Sequence, residues 1–366
     1  SQCNSFQESV QVKIALINDT HAGARNDSLA FDDYFFRFWD NVFFPYLKEN
    51  NIDTVIHLGD IVDRRKFINY VILNRWRNKF FGRLKEMNVK LHVLVGNHDV
   101  PYKNTNDINA IEELFEQSDT IQVYKEPCDI AIDNFDICLL PWINVENQQR
   151  TLDHIKASRA QVAFGHLEIA GFEMDRGNVC RDGMNRSVFD KFEMVLSGHF
   201  HHKSTDGHIV YLGNQYQMTW ADYDDKRGFH VFDTDTRELA FVENPYQMFF
   251  KITYDDKNDL DFDKLKKLDF SEYTGTYVKI LVLHKTNPFL FERFMQKLID
   301  AAPLDISIVE DFSDLTNKDD SDIIDEGEDT MTILDKYVDG LQMDSADKLK
   351  SILRELYLEA INLEKV

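Results

Sequence analysis

Val12-Lys13-Ile14-Ala15-Leu16-Ile17-Asn18-Asp19-Thr20-His21 begins as an apolar, largely β-branched run and ends on a carboxylate and an imidazole. The same order of events returns four times. Residues 54–58 lead into Gly59-Asp60-Ile61-Val62-Asp63, residues 91–95 into Gly96-Asn97-His98-Asp99, residues 162–164 into Gly165-His166, and residues 194–196 into Gly198-His199-Phe200-His201. Each apolar run reads as a buried strand. Each polar cluster therefore falls at a strand's C-terminal end, where the loops of open α/β sheets carry ligands and chemistry. The glycine ahead of the polar group is expected to let the backbone turn through positive φ. One such turn is a hairpin or a helix cap. Five of them, offering only carboxylate, imidazole and amide ligands, specify a metal site.

The ligand types dictate the reaction. A phosphodiester resists attack because its anionic oxygens repel a nucleophile, and two metal ions about 3.5–4 Å apart relieve this by neutralising charge and generating hydroxide from bound water. One carboxylate must bridge them. Mixed His, Asp and Asn ligands suit manganese or iron better than calcium or magnesium. Two Mn2+ per chain are expected, with Mg2+, Fe2+ or Zn2+ as alternatives. A histidine that is not a ligand can protonate the leaving oxygen or stabilise charge on phosphorus. His98, beside the amide of Asn97, is the candidate for that role.

Outward from the motifs, strand and helix patterns alternate from residue 12 to about 100, which predicts an α/β fold with a partly parallel sheet. The helix after the first strand carries Phe35, Phe38, Trp39, Val42, Phe43 and Tyr46, enough rings to bury against the core or against a second copy. A second helix spans about 67–87. After Asn244-Pro245 the pattern changes to a small α+β unit over 245–309. Residues 310–329 hold ten acids and one lysine and read as a solvated linker. Two amphipathic helices over 330–366 have little core of their own and are expected to dock onto a partner.

Length and composition suit a multidomain enzyme of 366 residues. The four cysteines, Cys3, Cys128, Cys138 and Cys180, have no C-x-x-C spacing and stand apart from the motif histidines, so neither a disulfide framework nor a thiolate zinc site is predicted. No membrane partner is expected, because no apolar run reaches the length of a span. A formal net charge of −23 argues against unaided clamping of duplex phosphate, which depends on Lys and Arg releasing counterions. Roughly half of that excess lies after residue 309.

The ordered set D-x-H, G-D-x-x-D, G-N-H-D, G-H and G-H-x-H resembles the calcineurin-like metallophosphoesterases. Leu140-Pro141-Trp142, Tyr211-Leu212-Gly213-Asn214-Gln215-Tyr216-Gln217 and Arg227-Gly228-Phe229 resemble their SbcD-type branch, the nuclease subunit of a double-strand-break repair complex. Phage recombination endonuclease subunits are the most similar members. The resemblance covers residues 12–235 by motif and the rest in layout only. It implies a metallophosphoesterase β-sandwich flanked by helices over 12–244, a capping domain over 245–309 and partner-binding C-terminal helices. It also implies one metal on Asp19, His21, Asp60 and His201, a second on Asp60, Asn97, His166 and His199, with Asp60 bridging, and a transition-state role for His98. Asp63 is expected to support its loop. Where many relatives carry a histidine and a proline after the second motif, this chain has Arg64, Arg65 and Lys66, which are candidates for contact with DNA phosphate.

The activity implied is that of a manganese-dependent DNA nuclease in recombination and repair, with 3′–5′ exonuclease action on duplex ends and endonuclease action on single strands. The implied partners are DNA, a second copy of the chain and an SbcC-type ABC ATPase. The expected location is the cytoplasm, the host's if the gene is a phage's. A phosphatase or cyclic-nucleotide phosphodiesterase is the alternative on the same metal cage. Protein phosphatases, however, usually carry Gly after Arg64 and Glu after His98, where Arg65 and Asp99 stand here. A decayed scaffold should have lost ligands, and every ligand position is filled.

Overall fold

The computed structural model describes residues 12–115 and 119–310, together with Asp335, Val338, Asp339, Ala346, Asp347, Leu349, Lys350, Ile352 and Leu353, each of them helical. Residues 1–310 form one compact unit and 311–366 a second. The linker expected at 310–329 lies outside the described residues after Glu310, as does most of the helix pair at 330–366.

The strands are, in chain order, β1 (Lys13–Ile17), β2 (Thr54–His57), β3 (Lys90–Leu94), β4 (Ile121–Tyr124), β5 (Cys128–Ile132), β6 (Phe135–Leu140), β7 (Val162–His166), β8 (Glu173–Asp175) and β9 (Asn178–Val179). They continue as β10 (Met194–Gly198), β11 (Ser204–Thr205), β12 (Ile209–Tyr211), β13 (Gly228–Asp233), β14 (Leu239–Glu243), β15 (Phe249–Asp255), β16 (Tyr277–His284) and β17 (Asp305–Val309). One six-stranded sheet runs β14-β13-β1-β2-β3-β4 and a second runs β11-β12-β10-β7-β6-β5. The motif-bearing strands β1, β2 and β3 are mutually parallel, as are β7 and β10. All five clusters consequently emerge at strand C-terminal ends.

Period-two alternation explains the layers. Ile14 and Leu16 of β1, Ile56 of β2, Ile137 and Leu139 of β6, Val162 and Phe164 of β7 and Leu196 of β10 form the core between the two sheets. Their neighbours Ala15, Ile17 and Val55 face helices beyond the first sheet, while Cys138, Ala163 and Val195 face the core outside the second. A strand buried on both faces reads as an unbroken apolar run, which is why the motif strands stood out in the sequence. Each large apolar side chain buried this way contributes about 1.5–3 kcal/mol.

Helix Leu29–Phe38 starts on Ser28, whose side chain accepts from the Phe31 N–H, and continues through a π-helical turn, Trp39–Phe43, into Phe44–Glu49. A second helix repeats the device as Tyr70–Arg75, Trp76–Phe81 and Gly82–Glu86. The two π turns place Trp39 and Trp76 edge to face at 6.3 Å, both fully buried. Phe31, Phe35, Phe38, Trp39 and Phe43 all lie in the core against the first sheet, so the first helix uses these rings for packing. β15, β16 and β17 form a parallel three-stranded sheet with helices Phe262–Lys267 and Pro288–Asp300 around a core of its own, including Tyr254, Ile280, Phe294 and Leu298. Among the described residues no helix is long and apolar enough to cross a membrane.

Candidate metal centre

The five strand ends converge on two clusters of ligand atoms. Asp19, His21 and His201 form one, and Asp60, His166 and His199 the other, with the ligand atoms of each cluster within 4.8 Å of one another. In the first, His21 Nε2 and His201 Nε2 stand 3.1 Å apart, and Asp19 Oδ1 lies 3.9 and 3.7 Å from them. In the second, Asp60 Oδ2 is 3.3 Å from His166 Nε2. Asn97 Oδ1 lies 2.8 Å from the same nitrogen and 3.0 Å from His199 Nδ1, which joins the amide to that cluster. Every metal ligand expected from the sequence is thus gathered here. Asp60 sits with the second cluster through Oδ2, and its Oδ1 accepts from the His98 N–H at 2.8 Å.

The backbone at these ligands is unusual. Asp19, His21, Asp60 and His199 have φ of 49°, 45°, 61° and 89°, in the left-handed region that side chains rarely adopt. The glycine reading from the sequence needs correction. Only Gly59 among the motif glycines turns through positive φ, at 101°. Gly96 is required for a different reason: a Cβ there would collide with the Asp60 backbone nitrogen and carboxylate. At these strand ends the ligands themselves carry most of the strain, and the glycines supply close approach.

Electrostatics sharpen the picture. Burial pushes the Asp19 carboxyl above its ordinary range despite nearby His166. Burial acts on Asp60 likewise, but the charge and hydrogen bond of His166 outweigh it and hold that carboxyl well below the usual range. His166 is itself buried, yet Asp60 pushes it up to about 9. Burial and the neighbouring His21 keep His201 well below the ordinary histidine value. Asp19 Oδ1 is buried without a hydrogen bond, in a place where such an atom ordinarily finds a donor. An oxygen left bare beside two imidazole nitrogens, and an amide oxygen beside two more, fit divalent cations of the borderline class.

His98 touches both clusters, Asp60 through its backbone N–H and His21 through its ring. Its Nδ1 donates to the Asp63 carbonyl at 2.5 Å, and because a carbonyl only accepts, the proton resides on Nδ1 and Nε2 is left as the ring's acceptor. Its ring meets that of His21 edge to face at 4.9 Å. Burial lowers its pKa. Asp63 also reaches His21 Nδ1 at 3.4 Å, in keeping with a supporting role for that carboxylate. The basic run is less open than its sequence suggests: Arg64 pairs with Asp27 and donates to Asn26, whereas Lys66 is exposed.

Several supports escaped the sequence reading. The Asp99 carboxylate accepts from the backbone N–H of Asp60, Ile61, Val62 and Gly96, locking the second and third motif loops together. Its place beside His98 was visible, but its inward aim was not. The stretch around Tyr211–Gly228 acts as a brace. Gly213 O and Gln215 Oε1 accept from Asn18, Tyr216 Oη donates to the Thr20 carbonyl, and Arg227 donates to the His201 carbonyl while pairing with Asp222 and Asp225. Glu168 lies 3.5 Å from His199 Nε2, and the Trp142 ring lies 5.3 Å from that of His199. His202 bridges Asp225 and Glu173 at 2.8 and 3.3 Å, outside both clusters.

Comparison with known proteins identifies the family. Residues 12–203 match the calcineurin-like phosphoesterase family. Exonuclease subunit 1 of Enterobacteria phage T4 is 31% identical over 320 residues, covering 86% of this chain and 90% of that protein. Among solved structures, an archaeal phosphodiesterase aligns at 16% identity over 64% of this chain and all of its own, with a TM-score of 0.30. The purple acid phosphatase PPD1 of yellow lupin aligns at 13% identity over 66% of this chain and 48% of its own, with a TM-score of 0.34. With its ligand clusters at five strand ends, its family match over residues 12–203 and its likeness to the phage subunit over most of its length, the chain belongs to the calcineurin-like metallophosphoesterases and is a phosphodiester hydrolase.

Proposed function

We propose that this chain is the manganese-dependent DNA nuclease subunit of an ATPase–nuclease complex acting in recombination and double-strand-break repair. Its activities are 3′–5′ exonuclease on duplex ends and endonuclease on single strands. The observation that carries the reading is the pair of clusters in which an orphaned Asp19 oxygen and the Asn97 oxygen each face two imidazole nitrogens. The likeness to a phage exonuclease subunit supports both the nucleic-acid substrate and a partner.

In this proposal Asp19, His21, Asp60 and His201 would hold one ion, and Asp60, Asn97, His166 and His199 would hold a second. Bound divalent ions would neutralise the phosphate and acidify a water. The chain does the rest. Asp99 clamps the loops that carry Asp60 and Asn97, Asp63 fixes the His98 tautomer with the proton on Nδ1, and His98 Nε2, bare at rest, takes up the proton given up by the attacking water and passes it to the leaving oxygen. Arg64, Arg65 and Lys66 flank the site, and Lys66 has the clearest access to a phosphate. Residues 245–309 act as the capping domain, the segment 330–366 engages an SbcC-type ABC ATPase, and the nuclease works as a homodimer in the cytoplasm, the host's for a phage protein. The partner's DNA grip explains how a chain with net charge −23 works on a polyanion.

The test is incubation with end-labelled duplex and single-stranded DNA and Mn2+, alone and with the ATPase and ATP, beside His98→Ser. Metal-dependent laddering from 3′ ends that disappears in the variant is expected. No cleavage of DNA under any of these conditions, with small phosphodiesters still hydrolysed, would overturn the nuclease reading.

A further inference from the structure

Away from the catalytic clusters, at the outer edge of the second sheet, three unlike ligands converge. Asp129 on edge strand β5 and Cys138 on β6 are cross-strand partners, and His154 comes from helix Gln148–Ala157 packed beside them. Their ligand atoms lie within 4.8 Å of one another. His154 Nε2 is 2.9 Å from Asp129 Oδ1, and Ser158 Oγ is 2.9 Å from both oxygens of the same carboxylate. Cys138 is fully buried, whereas about a third of the Asp129 side chain and somewhat less of His154 reach solvent. An Asp–His pair on a surface needs no special account. The buried Cys138 thiol completes the triangle from beneath, turned from the apolar core into hydrogen-bond contact with Ser158 and Asp129, which brings a sulfur to the same point as a carboxylate and an imidazole.

We propose that Asp129, Cys138 and His154 form a second kind of metal site, selective for thiophilic divalent ions such as zinc and separate from the sulfur-free catalytic clusters. Thiolate, imidazole and carboxylate are each zinc ligands, and a water or Ser158 Oγ would supply a fourth on the open side. Manganese and magnesium prefer oxygen and have little use for sulfur. Proton balance is simple. The carboxylate is already ionised, the imidazole shifts its proton from Nε2 to Nδ1, and the Cys138 S–H gives up its proton as the metal–sulfur bond forms, so one proton is released per ion. Burial, with Asp129 beside it, pushes that thiol up to about 12 in the metal-free protein, so only an ion with real affinity for sulfur displaces the proton near neutrality. An ion here would staple the β5–β6 edge to the helix that leads into β7, the strand that ends on His166.

The experiment uses the full chain stripped by chelator and titrated with Co2+, whose bond to a thiolate produces a near-ultraviolet charge-transfer band that the catalytic clusters, lacking sulfur, have no means of producing. The band is expected at one thiolate per chain in the wild type and in Asp60→Asn, and lost in Cys138→Ser. His154→Gln, a partly exposed change that spares the core, should weaken Co2+ at this site at least tenfold. In wild-type protein already saturated with Mn2+, added Zn2+ should raise Tm, and in His154→Gln it should not. Absence of the band in folded wild type, its persistence in Cys138→Ser, or an equal Zn2+ response in His154→Gln would each overturn the proposal. None of these readouts depends on DNA cleavage.

Discussion

Strands end in carboxylates and histidines at two places in this molecule, in the pair of six-stranded sheets and in the three-stranded sheet, and only the first gathers a candidate metal centre. In the three-stranded sheet, β15 ends on Asp255 and β16 on His284, which meet at 3.1 Å. That arrangement copies the residue types of the catalytic strand ends. The Asp255 carboxylate, however, also accepts from the Lys257 and Asn258 backbone N–H groups and from the Asn258 side chain, so its lone pairs are already used. Those bonds, led by Asn258, pull its pKa down to about 2. Asp19 Oδ1, in contrast, is buried with no donor, and its backbone is held at positive φ. Residue type at a strand end does not make a ligand. Unspent lone pairs in a strained, buried loop do.

The largest effects should come from changes that erase the contrast. His98→Ser leaves both clusters intact and should lower kcat about 10²–10⁴-fold with the chain still folded, read by single-turnover cleavage of a labelled phosphodiester. Asp99→Asn turns an amide N–H toward two of the four backbone donors and should cost about 10–100-fold in metal affinity, measured by titration of the stripped protein. Retained affinity would show that the loop clamp is dispensable.

A pH test separates the buried sandwich from the outer sheet. Burial lowers His57 and His230 from 6.5 to about 3. The unfolded chain takes up protons on these residues below pH 6.5 while the folded chain refuses them, so their contribution is complete above that pH and declines as pH falls toward 3. Denaturant midpoints should fall steadily from pH 7 to 5, and His230→Gln should flatten the slope. An unchanged slope in that variant would remove His230 from the account. The smallest effect is expected for Asp255→Asn: phosphodiester hydrolysis and metal affinity unchanged, and a slight loss of Tm that disappears near pH 2, where the wild-type carboxylate protonates too.

The same contrast explains what was legible in the sequence. Apolar runs such as 91–95 announced buried strands because parallel strands covered on both faces leave no polar alternation, and the clusters after them named the residues that the fold brings together. Pairing was hidden. Nothing local in Lys13–Ile17 says that β1 lies between β2 and the much later β13. The π turns at Trp39–Phe43 and Trp76–Phe81 were equally silent, since they are set by how two tryptophans pack across helices. Asp99 was visible as a letter in a motif, but its four N–H partners come from loops that only the folded sheet brings together. The opposite error arose at the glycines, where a local rule about φ stood in for a steric fact about Asp60.

The brace on Asn18 comes from Gln215, 197 positions later, and His21 meets His201 across 180. A ribosome therefore releases the sequence as far as residue 201 before the first cluster has all its members, and β13 must follow before β1 gains its second neighbour. A hydrolase of phosphodiesters is in this way born inert. Truncated or stalled products that stop short of residue 201 carry the opening motifs without a complete first cluster.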